Sequence, residues 1–600
     1  MKSKKRIILL ILTVLILVPL VIPVFTPYVL GTADGLAHKF RLVSFEHSLR
    51  EGYLRPRWLA DQALGYGSPI FIFNYLMPYY SIAVVNLFGL TVNLSTQVFI
   101  AATILLSFFF MFLLGRKLWG TNAGLVAGGV YAWAPYHLLT IFLYEGWGEF
   151  TAFVFPPLLL FLILKIRDLW EKCGVKAGKT RYIPEEMGKP LMFYLVMTVF
   201  SWFLFILTHN VSALLFSPLL LFLSFVAADF RLFKPFLLTV YAFLTTVFLG
   251  AFFWLPAISM DNLTAYPQLM AKEMEIRGSY FKSFYTLLSV AFSTIRSGSA
   301  GYYDFTIGLP IIVVFVVGLA FIIRYLVKLF KTSKIQMPKI ANELVKVVTG
   351  REKLVIWLFV ILFGSLYLSN HASNLLWDIP LFRFIVYPFR FLFPATFAGS
   401  LLAGWIGRKN NLIAITFILL AIVAGRPYTN PAIDKFPFSD GYFQKVQTVF
   451  HPPGTLKNMA TREFLPQGAD LSFLQNVQDE YLTSGKLPQK FVFTQGSGEV
   501  LSEDIKAERM QVVVASKSQS QLTVNAFYFP DWYVFVDGKQ SVLDRDQYGR
   551  MRVWLSGGRH DILFVFGVSN IEKVGDAISI LGVIFLAGSV YYLWRKSKLN

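Results

Sequence analysis

Apolar runs of about 16–24 residues recur through this chain of 600 residues, and no other feature restricts its fold so severely. A run of that length with few charges is what a helix needs to cross the hydrocarbon core of a bilayer. Composition agrees: 56% of residues are hydrophobic and 15% charged, with a mean hydropathy of +0.57, where a soluble protein carries about a quarter charged residues. The chain therefore reads as a polytopic α-helical membrane protein. Spans are expected at 7–30, 96–115, 122–143, 150–166, 191–208, 211–228, 235–256, 307–327, 354–369, 390–406, 411–425 and 576–594, about twelve in all. The stretch 69–90 is also apolar but is interrupted by Asn74 and Pro78. Reading it as a span would put Arg116 and Lys117 on the wrong side, so it is expected to lie at the interface.

That scheme predicts where charge should fall. The pieces it makes cytoplasmic are the N-terminal MKSKKR, 116–117, 165–190, 229–234, 324–353, 408–409 and the C-terminal RKSK. They hold about 28 Lys/Arg against about 7 Asp/Glu, the bias of the positive-inside rule. The net charge of +20 is thus a topology signal and gives nucleic-acid binding little support. No small-x-small cleavage site follows MKSKKR, so the first run is expected to stay as an uncleaved helix. The expected location is the plasma membrane, multi-pass, with both termini cytoplasmic.

On the opposite side lie loops 31–95 and 257–306, short turns, and a large segment at 426–575. The domain plan is a membrane domain over 1–425, an extracytoplasmic β-rich domain over 426–575, and a last helix with a basic tail over 576–600. Within the β-rich segment, QSQLTVNAFYFPDWYVFVDGKQSVL alternates and turns at Asp537-Gly538, and RMRVWLSGGRHDILFVF does so at Gly557-Gly558. Both are hairpin signals, and together they predict an antiparallel, sandwich-like module before the last span.

The candidate chemistry sits in the outside loops. In GTADGLAHKFRL, Asp34, His38 and Arg41 stand at i, i+4 and i+7, one face of a helix if the loop is helical. An acid, an imidazole and a cation there suit a reaction site or a solvated juxtamembrane helix equally. The turn YEGWGE supplies Glu145 and Glu149 where a span returns, and ionisable groups at that depth usually pair or bind something; a helix cap is the alternative. His209 lies between two spans, where a cap or core role competes with ligand binding. Arg383 and Arg390 in LFRFIVYPFRFLF suit a phosphate at headgroup depth or snorkelling to lipid. The chain has no GxxxxGK[ST], HExxH or CxxC, and no convincing GxSxG, and its one cysteine, Cys173, can form no intramolecular disulfide.

This pattern resembles the GT-C superfamily of membrane glycosyltransferases, which use polyprenyl-phosphate-linked sugars. The shared features are an N-in first helix, Asp34 just after it, the interfacial Pro78-Tyr79-Tyr80, the second acidic site two spans on, and a C-terminal soluble domain. The stretches DGLAHKFRL, GYLRPRW, GYGSPIFIF and PYY resemble bacterial membrane proteins labelled 6-pyruvoyl-tetrahydropterin synthase-related. YPFRFL, TREFLP, FYFPDWYVFVDG and LSGGRHDI resemble those and the YfhO-type membrane proteins. The resemblance implies a base or metal-binding acid at Asp34, assisted by Glu149 or His38. On the enzyme reading a phosphate would be held by Arg57 or Arg390, with further binding residues expected among Arg41, Glu145, His209 and Arg383. Asp34 is followed by Gly35 and Leu36, so the acid-x-acid pair of some relatives is missing; a divalent cation, Mg or Mn, is admitted but not required. The implied partners are a polyprenyl-phosphate sugar, membrane lipids, and a glycan, lipid or protein acceptor. The competing reading is a non-catalytic lipid-carrier-binding or cell-envelope assembly protein.

Overall fold

Helix length sorts the apolar runs. The computed structural model describes residues 2–172, 185–228, 233–289, 305–331, 353–430, 433–434 and 462–598, and every count below refers to these. Eight helices are long and apolar enough to cross a membrane: Arg6–Val24, Val92–Trp119, Trp147–Lys172, Gly188–Thr208, Asn210–Ala228, Pro388–Gly407, Asn411–Thr429 and Asn570–Arg595. Two further runs are bent pairs, Thr121–Ala132 with Pro135–Tyr144 at 42° and Phe233–Leu249 with Ala251–Ser259 at 63°. Pro135 explains the first bend, since it has no N–H to give the preceding turn. The second falls at Gly250. Leu309–Arg324 and Lys353–Ser369 are apolar but shorter, so eight to ten described helices have the length and composition of spans, against the twelve expected. The chain is a multi-pass membrane protein. Cys173 and most of 324–353 lie outside the described residues.

The stretch 69–90 forms two short helices, Ile70–Phe73 and Met77–Asn86, and neither has the length to span. Asn74 ends the first, and Pro78 opens the second, where its missing N–H costs nothing.

The C-terminal strands make an antiparallel sandwich, numbered here β1 (Phe491–Gln495), β2 (Gly498–Lys506), β3 (Arg509–Ser516), β4 (Ser520–Phe527), β5 (Trp532–Val536), β6 (Lys539–Ser541), β7 (Asp544–Arg545), β8 (Arg550–Leu555) and β9 (Gly558–Phe566). One sheet runs β1-β4-β8-β7, the other β2-β3-β9-β5-β6. Alternate residues of β3 (Met510, Val512, Val514) and β9 (Ile562, Phe564, Phe566) are buried between the sheets, as period-2 patterning requires. The expected hairpin at Asp537-Gly538 forms, with Val536 opposite Lys539 and both turn residues at positive φ (50° and 77°), the requirement of a type I′ turn. The expected hairpin at Gly557-Gly558 does not. β8 pairs with β4 and β7 while β9 pairs with β3 and β5, so these glycines carry the chain from one sheet to the other.

The sandwich shares its core with the first loop. Trp58, Leu64, Tyr66, Ile72 and Phe73 join the cluster formed by Val512, Leu522, Phe527 and Trp532. Trp58 meets Trp532 edge-on at 5.5 Å, and Phe527 N–H donates to the Tyr66 carbonyl at 2.8 Å. A two-residue pairing of Val29–Leu30 with Ile433–Asp434 ties the same loop to the chain leaving Asn411–Thr429.

Candidate functional site

The first loop is helical over Gly35–Arg50, so Asp34, His38 and Arg41 do share a face, with Asp34 at its N-terminal end. The backbone fixes that end. Ala33 and Asp34 N–H donate to the carbonyls of Leu143 and Tyr144 at 2.9 and 3.0 Å, seating it on the second acidic turn. There Glu145 is fully buried, with φ of 53°, and every contact it makes is internal. Lys39 Nζ reaches its Oε1 at 2.5 Å, Trp147 Nε1 the same oxygen at 3.2 Å, and Thr32 Oγ1 its Oε2 at 2.8 Å. A Cβ on Gly35 would stand 2.0 Å from that Oε2, so glycine after Asp34 is required by the approach of the two loops. Removing one partner of such a buried pair costs about 3–5 kcal/mol, which makes Lys39–Glu145 an anchor.

Asp34 is treated differently. Thr32 Oγ1, and not Asp34, takes the first helical N–H, that of Gly35, at 3.2 Å. The half-buried Asp34 carboxylate makes no hydrogen bond with any described residue. Burial pushes its pKa up to about 6; Arg41 opposes the rise, and Glu145 and Glu149 add to it. Arg41, also buried, donates through Nη2 to Glu463 Oε1 at 3.2 Å. Burial raises Glu463 to about 7 against the pull of Arg41, with Asp34 adding to the rise. Glu149 accepts from the Tyr136 hydroxyl at 2.5 Å. Arg390 donates to the Ile385 carbonyl at 2.6 Å and lies over the Tyr387 ring, while its buried Nε has no hydrogen-bond partner among the described residues. Arg390 is within electrostatic reach of Glu463 and of Tyr136, which joins it to the same centre. The result is a half-buried site with three carboxylates (Asp34, Glu149, Glu463) and two guanidinium groups (Arg41, Arg390), drawn from four separate stretches of chain.

No family model and no curated protein matches the chain. Among solved structures it is similar to the Archaeoglobus fulgidus oligosaccharyltransferase in the apo form, at 15% identity and a TM-score of 0.41. The match covers 77% of this chain and 60% of that one, so the chain spans less than two thirds of that enzyme's length. The archaeal oligosaccharyltransferase AglB of the same organism, in complex with an inhibitory peptide and a dolichol-phosphate, gives the same values. At 15% identity this likeness fixes no residue correspondences.

Other expected site residues lie elsewhere or are already occupied. Arg57 belongs to a different network: Nη2 donates to Glu508 Oε2 at 2.6 Å and to the Phe566 carbonyl, and Nη1 to the Gly567 carbonyl and Glu572. It therefore clamps the sandwich and the last helix onto the first loop, in place of the phosphate contact expected of it. Glu145, expected to bind substrate, has both carboxylate oxygens on internal donors. His38, expected to assist catalysis, has Nδ1 at 2.7 Å from the Tyr79 hydroxyl and Nε2 at 3.1 Å from that of Tyr75. Its ring stacks on Trp147, so it holds the interfacial helices against the first loop and has no nitrogen left for a substrate proton. His209 contacts Ser212 Oγ through Nδ1 at 2.7 Å and stands edge-on to Tyr75. Arg383 is exposed.

Two participants escaped sequence reasoning, Lys39 and Glu463. Lys39 stands beside His38, off the face formed by Asp34, His38 and Arg41, and its partner Glu145 is 106 residues along the chain. Glu463 falls within TREFLP, a stretch noticed only for its resemblance. Among the described residues no three His, Cys, Asp or Glu side chains group as a metal-ligand set, and no step is assigned to a metal.

Proposed function

We propose that this chain is a GT-C-type membrane glycosyltransferase that moves a sugar from a polyprenyl-phosphate donor to an acceptor on the outer face of the membrane. One observation carries the reading: at the junction of two tightly locked loops, Asp34 keeps a carboxylate with no hydrogen bond to any described residue, and the Arg41 guanidinium acts on it. Structural carboxylates are normally paired when this buried. Asp34 in its charged form takes the proton of the acceptor hydroxyl as that oxygen bonds to the anomeric carbon. The bond from that carbon to the phosphate oxygen breaks, and its electron pair leaves with the lipid phosphate. Arg390, with its unpartnered Nε, receives the departing negative charge, and Glu149 holds the Tyr136 hydroxyl at the edge of the site. Exposed Arg383 suits lipid headgroups.

Asp34→Asn keeps shape and hydrogen-bonding capacity but removes the basicity. Transfer from a polyprenyl-phosphate sugar in membranes should fall by about 10²–10⁴-fold at unchanged protein level. Unchanged transfer by a well-expressed variant would refute the role. A carrier-binding protein without chemistry would keep donor binding through Arg390 and be indifferent to Asp34→Asn, with no transfer even by the wild type. The accompanying topology places 31–75 and 426–575 outside and 116–117, 165–190 and 324–353 inside. Cysteines introduced at 480 and 180 should respectively react and fail to react with an impermeant reagent on intact cells; the opposite pattern would invert the scheme.

A further inference from the structure

Residues 462–467 cross the site as a strap held on both sides. Ser68 Oγ donates to the Phe464 carbonyl at 2.9 Å, Ala265 N–H to the Leu465 carbonyl at 2.9 Å, and Gln467 N–H to the Leu263 carbonyl at 2.8 Å. The Phe464 ring is sandwiched between Phe73 (centroids 5.6 Å apart, planes at 4°) and Tyr266 (5.5 Å, 12°). Two stacked aromatic neighbours, one side-chain and two backbone hydrogen bonds immobilise the strap next to Glu463, and rigid support of this kind is what precise placement of a side chain needs. Oε1 of Glu463 lies on Arg41. Oε2 makes no hydrogen bond with any described residue, and the side chain is 20% exposed.

We propose that Glu463 is a second catalytic carboxylate of this centre: Oε1 fixes Arg41 beside Asp34, and Oε2 accepts a hydrogen bond from the acceptor. Its chemistry selects an acceptor with a hydroxyl or amine donor adjacent to the group that attacks. This inference rests on the glycosyl-transfer reading above. Asp34 takes the proton that is transferred, while Glu463 holds the acceptor in its ionised form without itself gaining a proton. The charged and titratable groups acting on it are Arg41 and Asp34 from the first loop, Tyr79 from Met77–Asn86, and Tyr387 and Arg390 from the stretch before Leu392. Tyr266 from the loop on the strap's other side is coupled to it as well. Burial that raises Glu463 toward neutrality makes that ionised form scarce on the acid side.

The test compares Glu463→Gln and Glu463→Asp in the full chain. Glutamine keeps an oxygen for Arg41 and would preserve a merely structural contact. KM for the acceptor should rise by about 10- to 100-fold in Glu463→Gln, the size of a hydrogen bond to a charged group. Binding of a polyprenyl phosphate probe should stay at its wild-type level. The rise of kcat/KM through about pH 7 should disappear in Glu463→Gln and persist in Glu463→Asp. Wild-type kinetics and pH profile in Glu463→Gln would overturn the proposal. If the wild type transfers no sugar, the glycosyl-transfer reading fails, and a second measurement decides whether Glu463 still faces a ligand. Carbodiimide labelling read by peptide mass spectrometry should then modify Glu463, and short-chain polyhydroxylated acceptors added in excess should protect it. Equal labelling with and without them would reject it.

Discussion

Arg57→Ala separates a docking role from a phosphate-binding one. The Arg57 side chain is 9% exposed, and its partners Glu508 and Glu572 are 5% and 0% exposed. Alanine strips the guanidinium from two buried carboxylates and from the carbonyls of Phe566 and Gly567. Glu508 keeps the Arg57 and Trp58 amides, at 2.7 and 3.4 Å. Glu572 keeps Ser569, and Arg55 stands 3.8 Å from its other oxygen. Removing one partner of a buried pair costs about 3–5 kcal/mol, and the retained contacts argue for the lower end. The loss falls on the seam between first loop, sandwich and last helix, so limited proteolysis of the detergent-solubilised full chain should cut the sandwich free at a rate about 10²-fold higher where opening precedes cleavage. Glu508→Gln in the same background should recover part of the loss, because one stranded charge is removed. Unchanged proteolysis together with weakened binding of polyprenyl phosphate would refute this assignment and restore the phosphate contact.

Gly35→Ala should push the first loop off Glu145, since the new Cβ would stand 2.0 Å from Oε2 and 2.4 Å from Thr32 Oγ1. Overpacking of about 1–3 kcal/mol is expected, read as a lower thermal midpoint in detergent. Asp34 and Glu463 both have folded pKa values above their usual 3.8 and 4.5, at about 6 and about 7. The stability they contribute is therefore full below about pH 4 and is lost as pH rises through 6 and 7, because the folded state holds the extra protons. Asp34→Asn should consequently leave stability at pH 8 equal or higher while transfer collapses. A marked loss of stability at pH 8 would mean that Asp34 is a structural anchor.

Membrane spans were legible in the sequence because the bilayer imposes one length and one polarity on each, whatever its neighbours. The turn at Asp537-Gly538 was legible for a similar reason: two consecutive positive φ angles demand that residue pair. Gly557-Gly558 carries the same local signal, yet its flanking strands belong to different sheets. A sandwich crossover and a hairpin need the same turn residues and differ only in distant pairing. The charges divide along the same line. The helical spacing of Asp34, His38 and Arg41 was correct. Their partners are Tyr75 and Tyr79, then Glu463, and for the intervening Lys39 it is Glu145, none of which helix periodicity can reveal. The contact of Arg57 with Glu508, 451 residues away, is likewise beyond the reach of local pattern.

What distinguishes the candidate site is the contrast between satisfied and unsatisfied charge within one small volume. A membrane protein that merely tolerated polar residues at this depth would pair each of them, because an unpaired buried charge is among the costliest defects a fold can carry. Lys39 with Glu145 and Arg57 with Glu508 follow that rule closely. Among the described residues, Asp34, Oε2 of Glu463 and Nε of Arg390 depart from it, although charged groups are within electrostatic reach. The locked pairs also explain how the departure is sustained. The backbone bonds from Ala33 and Asp34 and the Lys39 anchor hold Asp34 in place, and the stacked Phe464 fixes Glu463 with one oxygen on Arg41 and the other free of hydrogen bonds to described residues. Preorganised, unsatisfied groups of both signs are what a transferred proton and a departing phosphate require. A binding surface needs only the cations.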